Sequence, residues 1–183
     1  IVIDMQTSGA VMSPWWEVRN YTDGTVACRN GAASMSFDFT GGPFTCFDYW
    51  NGAAAGGFGI LRNYGGSNRQ RILGVCAIGL SSAGPLPANQ ETYSFKLSIN
   101  RTKTVGVGAC AGCADGALIV LNSILCTQNP GSSQAEGGGN RINADEKMET
   151  LGTFASFQSV LPGAPGPTPT KNTTWGAVKS LYR

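Results

Sequence analysis

The chain contains no histidine. That absence removes the usual general base at neutral pH, the commonest zinc ligand, and both Ser-His-Asp and Cys-His activation of a nucleophile. Among enzymes it leaves arrangements such as paired carboxylates, which suffice for glycoside hydrolysis. Charge is also scarce. Asp, Glu, Lys and Arg make up 13% of the residues, about half the usual share. The net charge of +2 is dispersed, with local basic clusters only at Arg69 and Arg71 and at Arg101 and Lys103. Nucleic-acid binding calls for a concentrated basic stripe, so no nucleic-acid partner is expected. No run of about 18 apolar residues occurs, so no helix is expected to span a membrane. The opening Ile1-Val2-Ile3-Asp4 has no basic n-region and no apolar signal segment. The expectation for an exported protein is that this numbering starts after a removed signal or propeptide. No internal repeat is visible.

What is present is glycine, small polar residues and a substantial apolar fraction. Gly is 26 of 183 residues, roughly twice its average usage, and hydrophobic residues are 42%. A disordered chain would carry more charge and fewer aromatics. The composition suits a loop-rich β protein with an uncharged polar surface.

Six cysteines, Cys28, Cys46, Cys76, Cys110, Cys113 and Cys126, form an even set. In such a chain they read as disulfides of an exported protein. Sequence alone does not choose among their connectivities. The expected set is Cys28–Cys46, Cys110–Cys113 and Cys76–Cys126, the alternative being several buried thiols. Cys110-Ala111-Gly112-Cys113 lacks the strand–helix context of a redox motif and the second ligand pair of a zinc site. It reads as a structural loop.

Hydrophobic periodicity is that of strands. Tyr93, Phe95, Leu97 and Ile99 alternate with Ser94, Lys96 and Ser98, which predicts a half-buried strand over 91–99. Met35, Phe37 and Phe39 repeat the pattern over 33–40. The runs 71–80 and 117–125 are continuously apolar and read as strands buried on both faces. Segments 1–5 and 57–63 complete the set. Asp23-Gly24, Asn30-Gly31, Gly41-Gly42-Pro43, Gly65-Gly66 and Gly84-Pro85 punctuate them. The fold class expected is all-β, a disulfide-bonded β-sandwich or jelly roll over residues 1–160. The polar stretch 132–140 reads as a surface loop.

Residues 161–183 differ. Leu161 to Thr170 holds four prolines and reads as an extended linker. In the segment after it, Trp175, Val178 and Leu181 or Tyr182 fall at helical spacing, with Thr173 or Thr174 to cap the start. A helix or turn this short is unstable alone in water. The expectation is a tail that docks on its own body or on a neighbouring subunit.

The candidate binding residues are aromatic. Trp15, Trp16, Tyr49, Trp50 and Tyr64 sit among Gly, Asn and Asp, as in loop-borne platforms that stack on sugar rings. The alternative is that they fill the ends of a core. On a strand, Trp15 and Trp16 would point to opposite faces, one of them near the surface. Asn63 to Arg69 is either a binding loop or a well-bonded turn. Asp38 and Asp48 are the carboxylates to pair for catalysis, against a turn-capping role. Asp115, Asp145, Glu146 and Glu149 match no specific calcium motif. Asn20, Asn100 and Asn172 head glycosylation sequons. Thr168, Thr170, Thr173 and Thr174 are O-glycan candidates.

Several segments together carry a resemblance. They are Trp15-Trp16, Cys28-Arg29, Pro43-Phe44-Thr45-Cys46 with Trp50 and Gly56-Gly57, Asn68-Arg69 with Arg71, and Tyr93 to Lys96. Gly108 to Cys113, Val120 to Ile124 and Thr174 to Arg183 complete them. The chain resembles a group of uncharacterised exported bacterial proteins over most of its length, most specifically from Cys110 to Ile124. Those proteins often have a further Cys just before the Val-Leu-Asn stretch, where this chain has Ala117, with Cys126 later. The resemblance implies export and Arg183 as a natural C-terminus. It supplies no known activity and no catalytic residues.

These readings converge on an extracellular, non-enzymatic structural protein without a cofactor or metal. It would be a self-assembling subunit of a cell-surface or filamentous assembly, its partner being itself. A carbohydrate-binding module on cell-surface glycans is the second reading. A histidine-free glycoside hydrolase is the third.

Overall fold

The computed structural model describes residues 1–87, 89–126, 140–143 and 154–157. Within them lie eight strands and a single 3₁₀ turn, Pro14–Trp16. The strands are β1 (Val2–Thr7), β2 (Ala33–Ser36), β3 (Ala54–Arg62), β4 (Arg69–Ile78), β5 (Lys96–Ile99), β6 (Ala117–Cys126), β7 (Asn140–Asn143) and β8 (Phe154–Phe157). They form two antiparallel sheets. The larger runs β3-β4-β1-β6, with β7 and β8 end to end along the far edge of β6, opposite 123–126 and 117–120. The smaller is β2-β5.

Period-two alternation produces the larger sheet. In β1, Ile3, Met5 and Thr7 are buried while Val2, Asp4 and Gln6 face away. The register then places Ile60, Ile72, Ile3 and Leu121 in one row across β3, β4, β1 and β6. Ile60, Ile72 and Ile3 are almost wholly buried. Each such side chain stabilises the fold by about 1.5–3 kcal/mol on burial. Ala33, Met35, Leu97 and Ile99 of the smaller sheet pack against this row. Close approach is needed where they meet: a Cβ on Gly74 would lie 2.5 Å from Met35 Sδ. Gln70, also buried, accepts a hydrogen bond from Tyr21 Oη (3.1 Å) and donates to Trp16 O (2.9 Å). Burial also pushes the Tyr21 phenol well above its ordinary pKa.

Several expectations are corrected. The strand expected over 91–99 is confined to Lys96–Ile99. Upstream, the chain instead makes a single bridge from Thr92 to Phe47, and Tyr93 Oη binds the 43–46 loop. Runs 71–80 and 117–125 are strands, but β4 is not covered on both faces. Its outward Leu73 and Val75 are 40% and 71% exposed. The strand flanked on both sides over its whole length is β1. Trp15 and Trp16 lie on the 3₁₀ turn, where Pro14 presets the backbone, and both are buried, at 4% and 2% exposure. Of the loop expected over 132–140, Asn140 instead begins β7 and the rest lies outside the described residues, as does the tail 161–183 with Trp175, Val178, Leu181 and Tyr182. So do Asp145, Glu146, Glu149 and Asn172.

The cysteine pairing differs most. Cys28 bonds to Cys110, with Cα atoms 6.1 Å apart, so neither Cys28–Cys46 nor Cys110–Cys113 forms. Cys76 and Cys126 are not joined to each other. The reason is topological. Strand β2 and the segment after it carry the chain from Cys28 across the molecule, leaving Cys46 at the opposite end beside Glu91 (Sγ to Oε2, 3.7 Å). Gly112, at φ +92°, turns the Cys110–Cys113 loop away, and Ser13 occupies the space a side chain would need there. Burial raises the Cys76 thiol pKa.

The Cys28–Cys110 bond closes a loop with a sequence separation of 82. In the chain-entropy model a loop of this size contributes roughly 4 kcal/mol. The double variant Cys28→Ala/Cys110→Ala is expected to lose about that much in denaturant unfolding. A digest without reductant should yield one linked peptide pair carrying Cys28 and Cys110, with Cys46 open to a maleimide. Recovery of a Cys28–Cys46 pair would refute the topology.

On the outer face, Arg71 clamps Asp4 through two bonds of 2.6 and 2.7 Å and lies 3.7 Å over the Tyr64 ring. Burial opposes ionisation of Asp4, but the hydrogen bonds from Arg71 and Asn122 and the charges of Arg71 and Arg69 together outweigh it and hold the carboxyl below its usual range. The sign follows. The pair stabilises the fold above the unfolded carboxyl pKa of about 3.9, and that contribution is lost as pH falls through the lower folded value. Asp4→Asn should cost about 1 kcal/mol at pH 7 and nearly nothing at pH 2, measured by urea unfolding at both pH values.

Candidate functional site: an apolar cleft between the sheets

The two sheets are unequal in width. The smaller sheet lies over the β3–β4–β1 part of the larger one, and β5 is its edge on the β6 side. Beyond β5, the inner face of β6 and β8 continues without a described strand above it. A cleft of about 980 Å³ occupies that space. Phe95, Leu97 and Ile99 form one wall, Ile3, Ile119, Leu121 and the β8 residues 154–157 the other, and Trp15 and Trp16 the end. Arg101, Thr104, Cys113 and Ser156 supply its polar groups.

The aromatic end is held by polar contacts. Trp15 Nε1 donates to Thr104 Oγ1 (3.0 Å) and Trp16 Nε1 to Asp115 O (3.1 Å). Both indole N–H groups are therefore satisfied, and the rings remain as apolar surface. The two rings meet edge to face at 4.9 Å. Phe157 stacks on Trp15 at 5.8 Å and meets Trp16 edge-on at 5.3 Å.

Behind Trp15 lies the fully buried Arg29. Its guanidinium sits 3.7 Å from the Trp15 ring centroid and donates to Trp15 O (2.8 Å) and to Asn100 O. Among the described residues it forms no ion pair. A cation held by carbonyls and a ring ties together the 3₁₀ turn, the Cys28 loop and the end of β5. Its neighbour Cys28 carries the disulfide, and Lys103 Nζ donates to Cys28 O (2.7 Å).

The other candidate residues are placed elsewhere. Tyr49 and Trp50 lie at the opposite end, where Trp50 Nε1 donates to Ser94 O (3.0 Å) and Tyr49 Oη to Gly84 O (2.7 Å). Trp50 also packs edge to face on Phe37 at 6.2 Å. Tyr64 sits in the β3–β4 turn beneath Arg71, 44% exposed. The five aromatics thus occupy three separate places and make no common strip. The Asn63–Arg69 run is a bonded turn: Asn68 Nδ2 donates to Thr7 O (3.0 Å) and Gly9 O (2.9 Å), and Ser67 Oγ to Ala10 O (2.7 Å). Asp38 and Asp48 cap turns through Thr40 and through the Trp50 and Asn51 N–H groups. The bonds from Thr40 hold the Asp38 carboxyl below its usual pKa. Asp115 accepts a short hydrogen bond from Ser13 Oγ. Among the described residues, no carboxylate lines the cleft. Asn20 and Asn100 are exposed, each with Oδ1 accepting a backbone N–H.

Periodicity identified Phe95, Leu97 and Ile99 as one apolar face but gave no sign that part of it lines an open cleft. Phe157 and Arg29 went unnoticed as site residues. A lone arginine next to a cysteine in an uncharged chain was the available signal for Arg29.

Compared with protein-family models, curated proteins and solved structures, the chain matches none.

Arg29→Ala should destabilise the fold by about 3 kcal/mol, since it leaves two carbonyls without their donor and uncovers the back of Trp15. Arg29→Lys should recover only part of this, because an ammonium cannot match the planar, forked contact. Thermal unfolding monitored by tryptophan fluorescence checks both. Equal stability of Arg29→Ala and the parent would refute the role given to this cation.

Proposed function

We propose that this chain is an extracellular structural protein, a self-assembling subunit of a cell-surface or filamentous assembly, with a sandwich-type body. The observation that carries the reading is the cleft. Its described walls are aromatic and aliphatic with few polar groups, and no carboxylate is among the described lining residues. Covering the apolar surface that the described residues leave in this cleft would favour association.

The loops at the two ends support the same reading. Phe44, Leu80 and Leu86 are exposed at one end. Val11, Val26, Val105 and Val107 are exposed on loops at the opposite end. Different apolar patches on opposite ends suit head-to-tail contacts, which yield filaments when the rotation does not close. The Cys28–Cys110 disulfide fits an oxidising, extracytoplasmic setting, as does the resemblance to exported bacterial proteins.

The native mass across a concentration series tests the proposal. The full chain is expected to form particles well above the monomer mass of 19.0 kDa. Leu121→Glu, which puts a charge in the cleft, should shift assembly to higher concentration with the near-ultraviolet circular dichroism retained. A full chain that stays monomeric throughout would overturn the proposal and turn attention to glycan binding.

A further inference from the structure

We infer that Asn100 is an acceptor for an N-linked glycan, and that the fold selects it over Asn20, the other described sequon. The inference rests on the extracellular reading, because sequon-directed transfer acts on exported chains.

Asn100 follows directly on β5 and heads Asn100-Arg101-Thr102. Its backbone is held on both sides. The N–H donates to Ala32 O (2.8 Å), and the carbonyl accepts from the buried Arg29 guanidinium. Its side chain closes a local turn: Oδ1 accepts from the Thr102 N–H (3.0 Å) and from Thr102 Oγ1 (2.7 Å). Asn readily bonds the backbone two residues on in this way. With Oδ1 bound into the turn, the planar amide sets Nδ2 on the other side of Cγ. Among the described residues Nδ2 makes no hydrogen bond. Residues 100–103 are all exposed among the described residues. The amide and hydroxyl of the sequon thus share one turn beyond the end of a strand, and the amide nitrogen is left over to react.

Asn20-Tyr21-Thr22 carries the same motif in a different setting. Tyr21 is buried, and its hydroxyl donates to Gln70. The Thr22 N–H donates to Ile60 O of β3 (3.0 Å), and a Cβ on Gly59 would lie 3.0 Å from Thr22 Cγ2. Asn20 Oδ1 accepts from Ala27 N (3.0 Å), not from Thr22. Bringing Thr22 back onto Asn20 would break the bond to β3 and pull Tyr21 from the core. The motif is common to both sites, and the tertiary setting separates them.

The step is a glycosyl transfer from an oligosaccharide carried on a polyprenyl diphosphate. Asn100 Nδ2 attacks the anomeric carbon, C1. The C1–Nδ2 bond forms and the C1–O bond to the diphosphate breaks. The lipid diphosphate leaves with the bonding pair, and one amide proton passes to a base of the transferase. The product adds a bulky, solubilising group to a chain in which only 13% of residues are charged.

The test uses the folded full chain, a purified oligosaccharyltransferase that reads Asn-X-Ser/Thr, and a polyprenyl-diphosphate oligosaccharide. Peptides of residues 16–26 and 96–106 serve as unfolded references. Occupancy at each site is read by glycopeptide mass spectrometry. Both peptides should be modified, whereas in the folded chain Asn100 should be modified and Asn20 should not. Thr102→Val should lose the Asn100 glycopeptide and Thr102→Ser should keep it, with near-ultraviolet circular dichroism retained in both. A folded chain bare at Asn100, or a 96–106 peptide that is not modified, would overturn the site. Asn20 modified in the folded chain as fully as Asn100, or unmodified even in its peptide, would overturn selection by the fold. Transfer is scored on purified chain and does not depend on assembly. A modified Asn100 on a chain that stays monomeric would leave the site standing and remove the self-assembly reading alone, and a bare Asn100 on a chain that assembles would do the reverse.

Discussion

The inner face of the larger sheet is wider than the smaller sheet that lies on it, and most other features follow from that mismatch. Period-two alternation makes the face apolar from β3 through β6 and on to Phe157 of β8. The β2–β5 pair reaches only part of the way across. Covering the near part gives the buried row of Ile60, Ile72 and Ile3. The far part borders a cleft with walls like a protein interior but no described strand above it.

The end of the molecule around the two tryptophans joins segments distant in sequence. Around Trp15 and Trp16, a disulfide, a buried arginine and two satisfied indole N–H groups connect segments distant in sequence. Gln70 extends the network through Tyr21 and the Trp16 carbonyl. These contacts fix the end wall of the cleft. At the opposite end the loops 37–53 and 79–95 are joined by lighter contacts, such as the Tyr49–Gly84 hydrogen bond and the Phe47–Thr92 bridge.

The two aromatic pairs show how context decides a side chain's use. Trp15-Trp16 and Tyr49-Trp50 look alike in sequence, both set among turn formers and small polar residues. Pro14 starts a 3₁₀ turn that buries both tryptophans of the first pair against the disulfide loop. The second pair follows the cap made by Asp48 and stays half-buried at the other end. Their separation means that they form no common strip, and neither pair announced its end of the molecule in the sequence. Asp38 and Asp48 were the carboxylates to consider for catalysis, and each caps a local turn.

The sequence by itself determined the all-β character and the positions of most strands. It also determined the scarcity of charge and the absence of histidine chemistry. These are local properties: alternation sets which residues share a face, Gly-rich turns end the runs, and composition needs no fold to be counted. It overextended the strand before Ile99, because alternation continues through Tyr93 although that ring is bound to the 43–46 loop. Only the tertiary structure decided that Cys110 meets Cys28, that Arg29 lies under Trp15, and that the smaller sheet stops short of β6. Those outcomes depend on which strand ends come together and how the described strands are shared between the two sheets. Both are set by long-range pairing, which residue-by-residue patterns do not encode.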